Sequence, residues 1–277
     1  GAVAKFRMDL PDISLGSVRI RIAPNGKVGL WLDLPNVTVK ELLDERQWFE
    51  RTLKWAYIEI GQKRKKLEFI NGKHHLIEEK NKKWFETYLG KNLKAFPIYG
   101  KVGEFTQPGF RANKKLIQTV GAMVEGDNLR VLELCSGSGN FSFHLASMNH
   151  HVTAVEVDET SIQAMKKSLE DFENKNLIEI TKVNLHGKDP KIKMLFEDKD
   201  IVLADPPRSG LGKSLDVLST IKDLPAKFIY VSCFPESFLK DISSLKELGY
   251  ELKRIEAVDQ FPQSKHIELI GLLELVK

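Results

Sequence analysis

The stretch Val131-Leu132-Glu133-Leu134-Cys135-Ser136-Gly137-Ser138-Gly139-Asn140 decides the fold. Its first half is a short apolar run of the kind buried in a sheet. Its second half is a glycine-rich turn, and Phe141 to Met148 then continue with apolar residues at helical spacing. A strand, a glycine turn and a helix open a βαβ unit, in which glycine lets the backbone turn sharply and approach a ligand. The same rhythm continues outward. Strand-like runs LRVLEL, HVTAVEV, LIEITKV, IVLAD, FIYVS, YELKRIEAV and HIELIGLLELV follow one another, with helix-period segments such as ETSIQAMKKSLEDF and ESFLKDISSLKEL between most of them. This alternation predicts an α/β fold with a mainly parallel seven-stranded sheet and helices on both faces, over residues 104–277. In such sheets a ligand lies beyond the carboxyl ends of the strands.

Residues 1–103 read differently. SVRIRIAPNGKVGLWLDL alternates on both sides of Asn25-Gly26, a hairpin signal. VTVKELLDERQWFERTLKWAYIEIGQ carries helical spacing, with Leu42, Leu43, Phe49, Leu53 and Ala56 near one face. A second hairpin is expected at Asn71-Gly72. The sum is a small α+β domain. It holds twenty Lys and Arg against twelve Asp and Glu, whereas residues 104–277 hold twenty-two against twenty-six. All four tryptophans (Trp31, Trp48, Trp55, Trp84) and the basic run Lys63, Arg64, Lys65, Lys66 fall in this first part. Basic charge interleaved with aromatics suits a nucleic-acid face, although a solvated Lys-rich face over a small core gives the same pattern.

Composition narrows the class. With 42% hydrophobic and 29% charged residues, the 277-residue chain is an ordinary globular sequence rather than a disordered or fibrous one. No apolar run is long enough to span a bilayer, and no leader pattern is visible. The chain opens on Gly1 rather than Met, so residues upstream are allowed for. Two cysteines, Cys135 and Cys233, make no metal or iron–sulfur set, and no metal is expected. Scarce cysteine predicts a reducing, cytoplasmic setting.

Candidate site residues gather at the strand ends. Gly137 and Gly139 lack the third glycine of a dinucleotide fingerprint, since Ser142 stands there. Glu133, just ahead of the turn, is instead typical of S-adenosylmethionine sites. Glu156 ends the next strand, where a carboxylate accepts ribose hydroxyls, and Asn184 after the third is placed to meet an adenine edge. Asp205-Pro206-Pro207-Arg208 follows the fourth strand as a stiff loop without prolyl donors. Cys233 follows the fifth, and the helix start after it is expected to lower its pKa. The plain alternative is an inert, packed cysteine. Cys135 is expected to pack against the cofactor. Glu268 interrupts an apolar run, either as a base facing a pocket or as a solvent-facing edge residue. Gln107, before Pro108-Gly109, offers both a donor and an acceptor.

The motifs F-T-Q-P, E-L-x-x-G-x-G-N-F, D-P-P-R-x-G, Y-V-S-C-x-P and D-Q-F-P…H-x-E occur in this order over about residues 95–277. The set resembles the S-adenosylmethionine-dependent RNA 5-methyluridine methyltransferases. The spellings Asn140-Phe141 and D-Q-F-P match the branch that acts on transfer RNA. The resemblance implies a Rossmann-like class I methyltransferase domain at 104–277, preceded by a small RNA-contacting domain at 1–103. It implies Cys233 as nucleophile and Glu268 as base. Gln107, Cys135, Gly137, Asn140, Glu156 and Asp205 would then line the S-adenosyl-L-methionine and uracil pocket. The expected partner is structured RNA, transfer RNA ahead of ribosomal RNA, and the expected state is a monomer. The chain departs from the family pattern at Gly109, Cys135, Ser136 and Phe234. Those departures motivate an alternative, a catalytically impaired RNA-binding protein that keeps the fold. A small-molecule methyltransferase would explain the glycine turn but not the basic, Trp-rich first part.

Overall fold

The structure is a computed structural model describing residues 1–61, 65–78, 80–185, 191–264 and 266–276. The chain forms two compact units. Gly1–Glu86 with Pro97–Phe105 make the smaller, and Thr87–Phe96 with Thr106–Lys277 make the larger. Residues 87–96, placed by the sequence in the first part, therefore group with the second.

In the smaller unit, α1 (Ala2–Met8) precedes a hairpin of β1 (Val18–Ile22) and β2 (Val28–Leu32). The turn closes on the Ile22–Val28 pair, with Gly26 in the left-handed region at φ 80°. Then come α2 (Val39–Asp44), α3 (Arg46–Leu53), β3 (Tyr57–Ile60), β4 (Lys65–Ile70) and β5 (Lys73–Glu78), in the sheet order β1-β2-β3-β4-β5. Leu30, Leu32, Ile58 and Ile60 share one face and form a buried core with Phe6, Leu42, Trp48 and Phe49. By the two-residue period, Arg19, Trp31 and Tyr57 lie on the other face.

The long helical reading of 37–62 is corrected here. Thr38 caps α2 in a reciprocal box with Glu41, Glu45 breaks the helix, and α3 ends at Leu53. Tyr57-Ile58-Glu59-Ile60 alternate apolar and polar, and pair in parallel with β2. Leu53 is exposed, and Trp48 takes the buried place expected of it. In the basic run, Lys63 and Arg64 lie outside the described residues, and Lys65 opens β4.

β6 (Lys82–Leu89) and β7 (Lys94–Gly100) form a two-stranded ribbon. The larger unit then runs α4 (Phe110–Met123), β8 (Arg130–Leu134), α5 (Ser142–Ser147), β9 (His151–Glu156), α6 (Glu159–Leu169), β10 (Ile178–Lys182), α7 (Lys191–Phe196), β11 (Ile201–Ala204), β12 (Lys227–Ser232), α8 (Pro235–Glu247), β13 (Tyr250–Val258) and β14 (Glu268–Leu275). The sheet order is β10-β9-β8-β11-β12-β14-β13. All strands are parallel except β14, which runs antiparallel to both β12 and β13. The seven expected strands are thus the seven observed. The apolar runs of the central strands β11 and β12 are continuous because both faces are covered, whereas the edge strands β10 and β13 carry charged, exposed residues; Leu132, Val202, Phe228 and Tyr230 are fully buried beneath helices that add Leu215, Phe238 and Leu245. Each such side chain contributes about 1.5–3 kcal/mol by leaving water.

Strand order reverses between β8 and β11: β9 and β10 continue to one side, β11 and β12 to the other. The carboxyl ends of β8 and β11 therefore bound the crevice where doubly wound sheets bind ligands. The glycine turn and the Asp205 loop emerge there. Among the described residues, no helix is long and apolar enough to cross a membrane.

Candidate active site

The turn after β8 is built on three left-handed residues, Cys135 (φ 59°), Gly137 (φ 56°) and Gly139 (φ 94°). A β-carbon on Gly139 would lie 2.6 Å from the Phe143 ring, so only glycine lets α5 pack here. Cys135 adopts the same region without that freedom, a strained placement of the kind found at ligand-binding turns. The Ser136 N–H donates to the Val155 carbonyl at 3.0 Å, which ties the turn to β9. The Gly137 N–H donates to Glu156 Oε2 at 2.8 Å, and Glu156 Oε1 accepts from the N–H groups of Val157 and Asp158 at 2.7 and 2.9 Å. Glu156 is thereby locked at the end of β9. A β-carbon at Gly137 would meet nothing within 4 Å, so the turn keeps an open face.

Asn140 is held rather than free. Its side chain exchanges two hydrogen bonds, at 2.9 and 3.0 Å, with fully buried Asn113 of α4. Its carbonyl accepts from the Thr87 hydroxyl at 2.6 Å. Asn140 thus fixes the far end of the turn. Burial pushes the Cys135 thiol up to about 12, which suits a packing residue and not a nucleophile.

Glu133, one residue before the end of β8, is buried, 1% exposed. The Ser142 hydroxyl donates to its Oε2, while its Oε1 has no hydrogen-bond partner among the described residues. Loss of hydration pushes its carboxyl up to about 8, with Asp205 and Glu156 adding like-charge repulsion. An acidic cluster with one unpartnered buried oxygen is short of a cation or a donor.

Facing it across the strand ends, Asp205 Oδ2 accepts from Gln107 Nε2 at 3.0 Å. Gln107 Oε1 in turn accepts from Gln260 Nε2 at 3.2 Å, and the same nitrogen donates to the Pro108 carbonyl at 2.7 Å. This chain connects the Q-P and D-Q-F-P motifs through their side chains. Gln260 Oε1 is buried without a partner among the described residues.

Cys233, partly buried after β12, lies within the electrostatic reach of Glu268, Asp205 and Arg208. Its thiol is pushed up, first by burial and then by the Glu268 carboxylate, while a hydrogen bond with Arg208 pulls it down. The expectation that the following helix lowers this thiol is therefore corrected. Burial and two carboxylates outweigh the helix end, whose first residue, Pro235, has no N–H to offer. Glu268 is buried, 4% exposed, which removes the solvent-facing alternative. Desolvation pushes its carboxyl up to about 7 against the pull of Arg208. Asp205 likewise rises to about 7, first by desolvation and then by Glu268. The site pairs a thiol with a carboxylate able to exchange a proton near neutrality.

Of the residues singled out in the sequence, Gln107, Cys135, Gly137, Glu156, Asp205, Cys233 and Glu268 all stand at the carboxyl ends of the sheet or on the motif loops linked to them. Asn184 follows β10 at an exposed position. Sequence reasoning missed the partners, namely Asn113, Gln260 and Asp241 of α8, whose carboxylate accepts from the N–H groups of Leu211 and Gly212. Gln260 was within a quoted motif; Asn113 and Asp241 sit inside amphipathic helices, where no local pattern marks a buried polar residue. The acid-rich turn, with its unpartnered Glu133 oxygen and open Gly137 face, fits a cationic nucleoside cofactor. Among the described residues, no cluster of three or more His, Cys, Asp or Glu could hold a metal.

The sheet order, the glycine turn and the strand-end carboxylates define a Rossmann-like methyltransferase fold. The model of the tRNA (uracil-5-)-methyltransferase family matches residues 80–276, and the chain belongs to that family. An uncharacterized RNA methyltransferase of Bdellovibrio bacteriovorus is 36% identical over 282 aligned positions, covering all of this chain and 72% of the relative. The 23S rRNA (uracil(1939)-C(5))-methyltransferase RlmD of a Shewanella species is 37% identical over 63% of this chain and 38% of its own length. Among solved structures, the Pyrococcus abyssi tRNA (uracil-54, C5)-methyltransferase in complex with S-adenosyl-L-homocysteine has a TM-score of 0.60 at 20% identity, covering 92% of this chain and 59% of that one. A precorrin-6y C5,15-methyltransferase of Geobacter metallireducens shares the fold at a TM-score of 0.51 and 13% identity, over 65% of this chain. The chain therefore spans most of one curated relative and well under half of another.

Proposed function

We propose that the protein methylates carbon 5 of a uridine in structured RNA, with S-adenosylmethionine as donor, Cys233 as nucleophile and Glu268 as base. The observation that carries this reading is the grouping of Cys233, Glu268, Arg208 and Asp205 beside the glycine turn, in a chain of the uracil-5-methyltransferase family. Carbon 5 of uracil is too weak a nucleophile to take a methyl group unaided. The Cys233 thiolate adds to carbon 6, forming an S–C bond and moving the ring's π pair into an enolate. Carbon 5 would then take the methyl group that S-adenosylmethionine would supply, the electron pair of the methyl–sulfur bond staying with the donor. Glu268 takes the proton from carbon 5, the double bond re-forms, and the Cys233 thiolate leaves. Bound S-adenosylmethionine supplies the electrophilic methyl and a positive charge. Glu133, Glu156 and the turn at Cys135–Asn140 would hold it, and that charge would offset the carboxylates that now raise the Cys233 thiol. Gln107, Asp205 and Arg208 would hold the uracil edge and the enolate oxygen.

The smaller unit supports an RNA partner. Arg19 lies over Trp31 with its guanidinium 4.5 Å from the ring centre, and Lys82 lies over Tyr57 at 4.2 Å. Arg19, Trp31 and Tyr57 belong to the sheet face opposite its core, and Lys82 reaches over Tyr57 from β6; Trp84 and Gly103 cover part of that face, and the cations that stand over its aromatic rings suit contact with phosphates and unpaired bases. The target uridine must leave its stack to reach Cys233. The motif spellings favour transfer RNA, whereas the 37% identity to an enzyme named for 23S rRNA favours ribosomal RNA. We take the second as the first substrate to test. Total RNA from cells lacking the protein, incubated with it and a labelled methyl donor, should gain label in 5-methyluridine of ribosomal size. Label in tRNA-sized RNA would reverse the substrate choice, and label absent while RNA is bound would favour the catalytically impaired alternative.

A further inference from the structure

The loop that carries Asp205 and Arg208 has little of its own to hold it. Pro206 and Pro207 contribute no N–H donors. Gly210 turns the chain at φ 74° and donates to the Pro207 carbonyl at 2.8 Å. Beyond that turn, the N–H groups of Leu211 and Gly212 donate to the two oxygens of a single carboxylate, Asp241 of α8, at 2.6 and 3.1 Å. The hydroxyl of buried Tyr230, on β12, donates to the same carboxylate. Asp241 is 1% exposed. A carboxylate so deep is costly unless its lone pairs are met, and here three donors from two other segments meet them. A β-carbon on Gly210 would lie 2.5 Å from Asp241 Oδ2, so the glycine is what admits the carboxylate.

These contacts join the pieces that make the site. β12 leads into Cys233, α8 begins at Pro235 just after it, and the loop bears Asp205 and Arg208. Arg208 itself is exposed, so its place depends on the backbone of the loop more than on packing. We propose that Asp241 is a positioning residue for methyl transfer: by binding the loop end and Tyr230 at once, it sets Arg208 and Asp205 against Cys233. This rests on the reading of Cys233 as nucleophile. Asparagine at 241 would keep the shape but supply one acceptor oxygen and an amide that itself donates, leaving the backbone and hydroxyl donors mismatched. The loop end would loosen, and Arg208 would leave the thiol.

The test is peptide-resolved alkylation of Cys233 by iodoacetamide across pH, on the full chain without RNA or cofactor, beside kcat and KM for RNA. Asp241→Asn should move the Cys233 profile to higher pH by about one unit, a roughly tenfold slower reaction at neutral pH. It should lower kcat by about tenfold or more while KM for RNA stays within about twofold. Tyr230→Phe, which keeps both backbone bonds, should move the profile the same way by less. If Asp241→Asn does not fold, the Tyr230→Phe profile decides. An unmoved Cys233 profile with only a lower melting temperature would overturn the proposal, leaving Asp241 as a core residue. Full transfer by Cys233→Ala would sink the nucleophile reading instead, while the alkylation shift would still judge the link from Asp241 to the loop.

Discussion

Glu268→Gln separates the two halves of the proposed chemistry. In the wild type, Glu268 is 4% exposed, its carboxyl sits at about 7, and it is one of the groups raising the Cys233 thiol. At pH 8 a group with that pKa is about nine-tenths ionised, so most molecules hold a competent base. The amide removes the negative charge beside the sulfur, so the thiol should fall and the first addition should proceed at lower pH. The amide cannot take the proton from carbon 5, so release should fail. A general base accounts for roughly 10²–10⁴ in rate, equal to about 2.7–5.4 kcal/mol of barrier. Turnover by Glu268→Gln should drop by about that factor at pH 8 while a protein–RNA adduct accumulates in the presence of methyl donor. Denaturing gels with end-labelled RNA, read against product formation, measure both. Turnover within a few-fold of wild type would refute Glu268 as base. Lost turnover with RNA and cofactor bound, but no adduct, would refute the order of steps.

Other consequences follow from the same geometry. His144 is 2% exposed and burial pulls its imidazole down to about 4, from an ordinary 6.5. The native state then binds fewer protons than the unfolded chain between these values, so stability is present above about 6.5 and is lost as pH falls toward 4. His144's share of this loss is about 3 kcal/mol, read as the difference between urea-unfolding stabilities of the wild type and His144→Gln across pH, because the raised carboxyls of Glu133, Asp205 and Glu268 change stability in the opposite sense; a difference that does not vary with pH would contradict it. Asn113→Ala removes both side-chain bonds to Asn140 and should cost about 1–3 kcal/mol in unfolding while weakening cofactor binding by titration calorimetry; unchanged affinity would show that the turn holds itself. Trp31→Ala should raise KM for RNA by about tenfold or more, the worth of one stacked base, with cofactor affinity unchanged.

The sheet was legible because both its faces are covered at the centre, so its central strands are apolar runs such as IVLA or KFIYVS, while the edge strand YELKRIEAV shows itself by β-branched and apolar residues among charged ones. The small unit was legible only in part. Its hairpins announce themselves through Asn25-Gly26 and Asn71-Gly72, but the segment Tyr57–Ile60 follows two short helices with no break that periodicity reveals. What makes it a strand is pairing with Gly29–Leu32, a contact distant in sequence. The site divides the same way. Glu156 ends a strand, Asp205 and Cys233 directly follow one and Glu268 opens one, and their chemistry marks them. The groups that hold them do not. Asn113 and Asp241 are polar residues on buried helix faces, and only the folded chain shows Asn140 opposite one and Leu211, Gly212 and Tyr230 around the other. The state of Cys233 was also beyond the sequence, since it depends on the balance between burial, Glu268 and Arg208.

RNA carrying 5-fluorouridine tests the central claim most directly. Fluorine at carbon 5 cannot leave as a proton does, so the adduct formed by addition and methylation has no exit. Incubation with S-adenosylmethionine, nuclease and protease digestion, and mass spectrometry should find one modified peptide, joined at Cys233 to a methylated 5-fluorouridine. The same reaction without methyl donor should lack that methylated adduct. An unmodified Cys233 peptide, or an adduct at Cys135 or another side chain, would contradict the account.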